Sequence, residues 1–133
     1  MFPRIREITD SFGGCLRGSV EEHPAGALVV VERPDVPGRP RVMLDAYGAD
    51  VLAGSVMSAR LSVSQGLPDE YVDGAFGACF KLVTRPAAMM RIEQEDMGVL
   101  EIPAPFWDRF YAEMCLVAAH ARELVRRADA RVH

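Results

Sequence analysis

The feature that most constrains the fold of this chain is its last thirty residues, Ala104 to His133. They predict one long helix, since Pro105 suits a first helical turn and Asp108 lies near the positive end of the helix dipole. Around the middle of this helix, apolar side chains occur on almost every side. A helix that is apolar all round has to be covered all round. The segment therefore predicts assembly as well as architecture.

Two faces can be distinguished on this helix. The broad face is led by Phe106 and Phe110 and is predicted to pack against a sheet. The narrow face is centred on Leu116, where small neighbours would let a second helix approach closely. Because dimers with a two-fold axis are the commonest oligomers, we predict a homodimer. Its predicted interface consists of the narrow face, Ala112, Leu116 and Ala119, with His120 at its border, and of two residues from the broad face, Trp107 and Tyr111.

The polar residue in the apolar centre of the helix is His120. Three interpretations are open: an interface histidine that makes association depend on pH, a donor to a backbone carbonyl, or a metal ligand together with Glu123. A transition-metal site needs at least one or two further ligands, and the sequence nominates none. We predict no metal and no cofactor.

Two other helices are considered. Ile5, Ile8 and Phe12 share a helical face, which favours a short helix at the N-terminus. Residues 50–64 fit the helical period throughout but the alternation of a strand only in their second half. We therefore predict a helix there, with Asp50 as its N-cap.

Five strands are predicted from β-branched or alternating runs bounded by glycine and proline. The first two flank a proline-rich turn and should form a hairpin. Strands that follow one another favour an antiparallel sheet with helices packed against it. The predicted fold is a single α+β domain spanning residues 1–133, with an antiparallel sheet of about five strands and two to three helices. The five strands are residues 27–32, 41–45, 75–83, 88–94 and 99–102.

Composition restricts the function. The net charge is −4, and residues 46–103 carry the acidic excess, with four basic and eight acidic side chains. Nucleic-acid binding rests on neutralising phosphates, so we predict no nucleic-acid partner. No apolar run reaches the roughly 20 residues of a membrane span, and the N-terminus lacks the apolar core of a secretory signal. These observations predict a cytoplasmic protein that does not enter a membrane.

The sequence contains no familiar catalytic motif: no Gly-rich nucleotide loop, no His-Glu-x-x-His and no Cys-x-x-Cys. Cys79 lies two residues from the only lysine, Lys81, but on a strand such a thiol is usually packed. We interpret Cys115, within the apolar helix, as packed too.

The order helix, two strands, helix, three strands, helix resembles the plan of type III secretion chaperones, which bind an extended segment of another protein. The stretch from Tyr47-Gly-Ala-Asp50 to Arg85-Pro-Ala resembles the core of hot-dog thioesterases, although no histidine precedes its helix. The first resemblance implies a non-catalytic, protein-binding homodimer. The second implies a small-molecule binder or acyl-transfer enzyme, with Asp50 at a pocket between the central helix and the sheet.

Overall fold

The computed structural model describes residues 5–9, 13–24, 26–95 and 97–132. Within these residues the chain forms eight strands and two α-helices, and one turn of 3-10 helix (Ala104–Phe106) leads into the second helix. In chain order the elements are β1 (Ile5–Thr9), β2 (Cys15–His23), β3 (Gly26–Glu32), β4 (Arg41–Leu44), α1 (Ala46–Ser62), β5 (Glu70–Val72), β6 (Ala78–Val83), β7 (Met89–Gln94), β8 (Gly98–Pro103) and α2 (Trp107–Val132).

The strands form two antiparallel sheets of four, in the orders β1-β2-β3-β4 and β5-β6-β7-β8. The two sheets meet where β4 lies beside β8. The α+β class, the long C-terminal helix and the hairpin of β3 and β4 are therefore confirmed. The single sheet of about five strands is wrong, because β1, β2 and β5 were not recognised and the strands divide into two sheets.

The predicted N-terminal helix is also wrong, since its first part forms β1. Ile8 lies opposite Leu16 of β2, and both side chains are buried. A five-residue segment is too short to nucleate a stable helix, whereas pairing with β2 satisfies its backbone groups at once. Phe12, the third residue of the predicted helical face, lies outside the described residues.

The central helix α1 is confirmed, but it begins at Ala46 rather than at residue 50. Its N-cap is Asp45, whose carboxylate accepts a hydrogen bond from the backbone N–H of Gly48 at 2.7 Å. Asp50 is therefore not the cap. It lies within α1, where Arg122 of α2 donates to its carboxylate at 2.6 Å.

The two helices pack against each other and against the sheets, α2 over β1 to β3 and α1 over β3 to β6. Ion pairs at opposite ends, Asp50 with Arg122 and Arg60 with Asp108, show that the helices run antiparallel. The broad face of α2 is confirmed as the face that enters the core. Its buried side chains are Trp107, Phe110, Met114, Val117, Ala118 and Ala121, and Phe106 of the preceding 3-10 turn is buried beside them.

The hairpin of β2 and β3 approaches α2 so closely that only glycine fits at its turn. Gly26 has φ +128, and a Cβ built there would lie 2.7 Å from Cγ2 of Val125. Both the backbone conformation and the contact exclude a larger residue. The C-terminal half of α2 therefore lies close against this hairpin at Val125.

Two polar side chains join the sheets. Gln94, at the end of β7, accepts from the backbone N–H of Met43 at 2.8 Å and donates to the carbonyl of Met43 at 2.7 Å. Arg33, just after β3, donates to the carbonyls of Cys15 (3.0 Å) and Glu101 (3.1 Å). The two sheets are therefore joined by hydrogen bonds from side chains to the backbone, and not by a ladder of backbone hydrogen bonds between β4 and β8.

Candidate interaction surfaces

The narrow face predicted on α2 is exposed in the protomer. Ala112, Cys115 and Leu116 are exposed and Ala119 is partly buried, and we call these four residues the α2 face. Leu116 is 38% exposed although leucine prefers the interior. Cys115 was interpreted as packed, and the structure corrects this: its thiol lies on the exposed side of the helix. The face is thus a continuous small apolar surface around one leucine.

The other predicted interface residues lie elsewhere. Trp107 is 3% exposed, and its indole N–H donates to the carbonyl of Ile102 at 2.9 Å. His120 is 9% exposed, and Tyr111 is partly buried against the core. Trp107 and His120 therefore pack within the protomer. Of the predicted interface residues, Ala112 and Leu116 are exposed and Ala119 is partly exposed, so these three remain available for an interface.

Charged side chains flank the α2 face at both ends. Asp108 and Arg109 lie at its N-terminal end, and the guanidinium of Arg109 donates to the carbonyl of Thr9 at 3.2 Å. At the C-terminal end, Glu123 accepts from Arg126 at 2.6 Å and from Arg127 at 3.1 Å. The hydrogen bond from Arg126 lowers the pKa of Glu123, so this carboxylate is ionised at neutral pH.

A groove of about 510 Å³ lies between the turn from β3 to β4 and the outer side of the second sheet. Its charged groups are paired, Arg33 with Asp35 at 2.8 Å and Arg91 with Glu101 at 3.0 Å. We call it the methionine groove, since two methionines are among its mainly apolar lining: Val36, Pro37, Pro40, Met89, Met97, Val99 and Pro103, with Arg33, Gly38 and Glu101.

Sequence reasoning missed this groove. The proline-rich turn was recognised as a turn, but nothing in the sequence indicates that it lies against β8. The position of this turn depends on Arg33, whose guanidinium donates to the carbonyl of Glu101 and also lies over the ring of Phe106, 5.3 Å from the centroid. An arginine followed two residues later by an aspartate was the one available signal, and that pattern is common in exposed turns.

The acyl-transfer alternative predicts a pocket between the central helix and the sheet. A cleft of about 340 Å³ lies beside α1, lined by Ser55, Ser58 and Glu70 among others. Asp50 is not among its lining residues and is paired with Arg122 instead. Within the described residues, no three His, Cys, Asp or Glu side chains are grouped so that they could hold a metal ion.

No protein-family model matches this chain, and comparison with curated proteins gives no match. Among the helices that the structure describes, none is long and apolar enough to cross a membrane. The order of four strands, helix, four strands and helix also differs from the order on which the resemblance to secretion chaperones was based. The α2 face and the methionine groove are therefore the features of the molecule that bear on its function.

Proposed function

We propose that this chain is a non-catalytic, cytoplasmic accessory protein that forms a homodimer and binds another protein. The observation that carries the proposal is the α2 face. One side of α2 fills the core, while the opposite side presents Leu116 among small residues at the surface. An apolar patch of this kind, with charges at both ends, is typical of a protein interface rather than of a solvated helix.

The homodimer is tested by Leu116→Glu. In a dimer with a two-fold axis both protomers carry the substitution at the interface. The variant therefore loses two apolar side chains there and buries two carboxylates. We expect the dimer dissociation constant to rise by at least about 100-fold, the effect of losing a central interface residue. Sedimentation velocity over a concentration series measures the change.

Leu61→Glu is the matched control, because Leu61 is a 75% exposed leucine on α1. It should leave the dissociation constant unchanged. Leu61→Glu should unfold at nearly the temperature of the parent protein, since its side chain is exposed. Leu116→Glu should unfold at nearly the temperature of the parent protein when both are diluted to monomers, because dimerisation itself stabilises the folded chain. A wild-type chain that sediments as a monomer at high concentration, or an unchanged dimer in the Leu116 variant, would contradict the homodimer.

The methionine groove is the surface that we assign to the other protein. Its ionised groups neutralise each other in pairs, so its electrostatics favour an uncharged occupant. Its lining is mainly apolar, and methionine side chains adapt to differently shaped apolar groups. We therefore propose that it binds an extended segment of the partner that carries apolar side chains.

Photo-crosslinking in the native host tests this assignment. A photoreactive phenylalanine analogue replaces Val99, a groove residue that is 48% exposed, and in a second strain it replaces Leu61. We expect protein adducts of defined mass from position 99 and none of the same mass from position 61. Adducts shared by both positions, or none from position 99, would contradict the groove as the partner's site. Labelling by small apolar metabolites alone would favour a small-molecule site instead.

The enzymatic alternative has no specific observation in its favour. Asp50, the residue that it requires, is half-exposed and forms an ion pair between the two helices. We therefore assign Asp50 to helix packing and place no catalytic step on it.

A further inference from the structure

We propose that the two α2 helices of the dimer pair antiparallel in one register, in which Arg109 of one protomer faces the partner's Glu123. This inference rests on the homodimer proposed above and deepens it, because it specifies which residues meet. The occupant of the α2 face is thus a second copy of this chain.

The register follows from one stripe of side chains. Arg109, Leu116 and Glu123 are spaced seven residues apart, which is about two helical turns, so they share one side of α2. At 1.5 Å per residue, the two charges lie about 10.5 Å from Leu116 in opposite directions along the axis. The stripe therefore carries a guanidinium at one end, a leucine at its centre and, at the other end, a carboxylate that Arg126 and Arg127 of the same protomer also bind.

A two-fold axis perpendicular to the helices makes the two copies of α2 antiparallel, so that the stripe of one protomer faces the reversed stripe of its partner. Leu116 then faces the partner's Leu116, Arg109 faces the partner's Glu123, and the same ion pair occurs again on the other side of the axis. Parallel helices would instead bring Arg109 against the partner's Arg109. The antiparallel arrangement therefore places Arg109 against a carboxylate of the partner, whereas the parallel arrangement places it against a like charge.

The neighbouring positions are compatible with the same register. Ala112 lies opposite the partner's Ala119 within one residue, so small side chains meet small side chains and the helix axes can come close. Asp108 and Arg122 also have complementary positions, but each is already paired with α1 in its own protomer. Arg109, whose described hydrogen bond goes to a carbonyl and not to a carboxylate, is thus the charge that sets the register.

The two groups can make this contact without giving up those they already have. Glu123 accepts from Arg126 and Arg127, yet a carboxylate has about four acceptor positions. The guanidinium of Arg109 carries five N–H donors, of which one bonds to the carbonyl of Thr9. In the dimer, Glu123 would hold cations from both protomers.

Charge reversal tests the pairing. Arg109→Glu and Glu123→Arg each place like charges opposite one another twice, so we expect each to raise the dissociation constant by about 10-fold. The double variant restores opposite charges, and its dissociation constant should return to within about threefold of the parent value. Arg41→Glu, on the sheet and away from α2, is the control and should leave association unchanged. Additive weakening in the double variant would overturn the register.

Directed cross-linking gives a second readout. In a background where Cys15, Cys79 and Cys115 are serine, Arg109→Cys and Glu123→Cys proteins are oxidised separately and as a mixture. Two thiols form a disulfide only when their Cα atoms come within about 7 Å, so the antiparallel register allows cross-links in the mixture but in neither protein alone. Cross-links within either single variant would indicate parallel helices.

These outcomes separate the two proposals. Suppose that Leu116→Glu disrupts the dimer, but charge reversal does not weaken it and the disulfides form in another pattern. That result would overturn the register and still support the homodimer. A wild-type monomer would overturn the homodimer, and the register with it.

Discussion

Replacing Gln94 by glutamate is expected to lower the free energy of unfolding by about 3 kcal/mol at neutral pH, because a buried donor becomes a buried charge. The amide nitrogen of Gln94 donates to the carbonyls of Met43 (2.7 Å), Phe76 (3.2 Å) and Gly77 (3.2 Å). The side chain is only 7% exposed. A carboxylate oxygen at that position would face three carbonyl oxygens without solvent to screen it.

The effect should depend on pH in a defined direction. Burial among carbonyl oxygens would raise the pKa of the new carboxyl above that of the unfolded chain, about 4.3. A group with a raised pKa in the folded state binds its proton more tightly there, so stability falls as the pH rises above about 4.3. The penalty relative to the parent protein should therefore be smaller at pH 4 than at pH 7. Urea unfolding at both pH values measures this difference.

Gln65→Glu is the matched control. It makes the same chemical change in an exposed turn, so it should alter the free energy of unfolding by less than about 0.5 kcal/mol. If Gln94→Glu were as harmless as Gln65→Glu, the amide of Gln94 would not join β4 to the second sheet in solution.

Replacing Arg33 by methionine is expected to cost about 3 kcal/mol, since it leaves a partner of a largely buried ion pair without its cation. The side chains of Arg33 and Asp35 are mostly buried, and two hydrogen bonds join them, at 3.0 and 2.8 Å. The substitution also removes the donors to the carbonyls of Cys15 and Glu101. Both the turn that borders the methionine groove and the contact between the sheets should loosen.

The pH dependence of this loss follows from Asp35. The hydrogen bond from Arg33 lowers the pKa of Asp35 below its ordinary value. A lowered pKa contributes stability that is present at neutral pH and is lost as the pH falls below about 4. The difference in unfolding temperature between the parent and Arg33→Met should therefore shrink at low pH, and the part that remains reflects the lost donors to the carbonyls of Cys15 and Glu101. A difference that is equally large at neutral and at low pH would show that the ion pair with Asp35 does not contribute.

Arg41→Met serves as the control for Arg33. Arg41 is an exposed arginine close in sequence, and its distance to Glu21 is 3.9 Å. Exposed ion pairs of this kind contribute about 0 to 1 kcal/mol, so its loss should hardly change the unfolding temperature.

Sequence patterns located the elements that carry a strong local signal. The broad face of α2 follows from the recurrence of large apolar residues at helical spacing, and β3 follows from an unbroken β-branched run. The strands without such a signal were missed. In β2 the inward positions pass through Gly18 between Leu16 and Val20, which interrupts the apolar alternation, and β5 has only three residues.

Of the candidate interface residues, too, some could be placed from the sequence and others could not. That Leu116 would lie opposite the core-facing side of α2 could be read from the helical period. That His120 would be buried could not, because a position at the border of a face is covered or exposed according to what packs beside it. Trp107 lies on the core-facing side by the helical period, and what the period could not show is its hydrogen bond, in which the indole N–H donates to the carbonyl of Ile102 at the end of β8.

By itself, the sequence determined the α+β class, the two helices and the two sides of α2, since these depend on periodicities within one segment. Only the tertiary structure decided that the strands form two sheets, that Gln94 and Arg33 join them, and that a groove opens beside the junction. These features depend on contacts such as that between Gln94 and Met43, which are far apart along the chain. A local pattern carries no signal for a contact whose partner lies in another element, and the junction and its groove consist of such contacts.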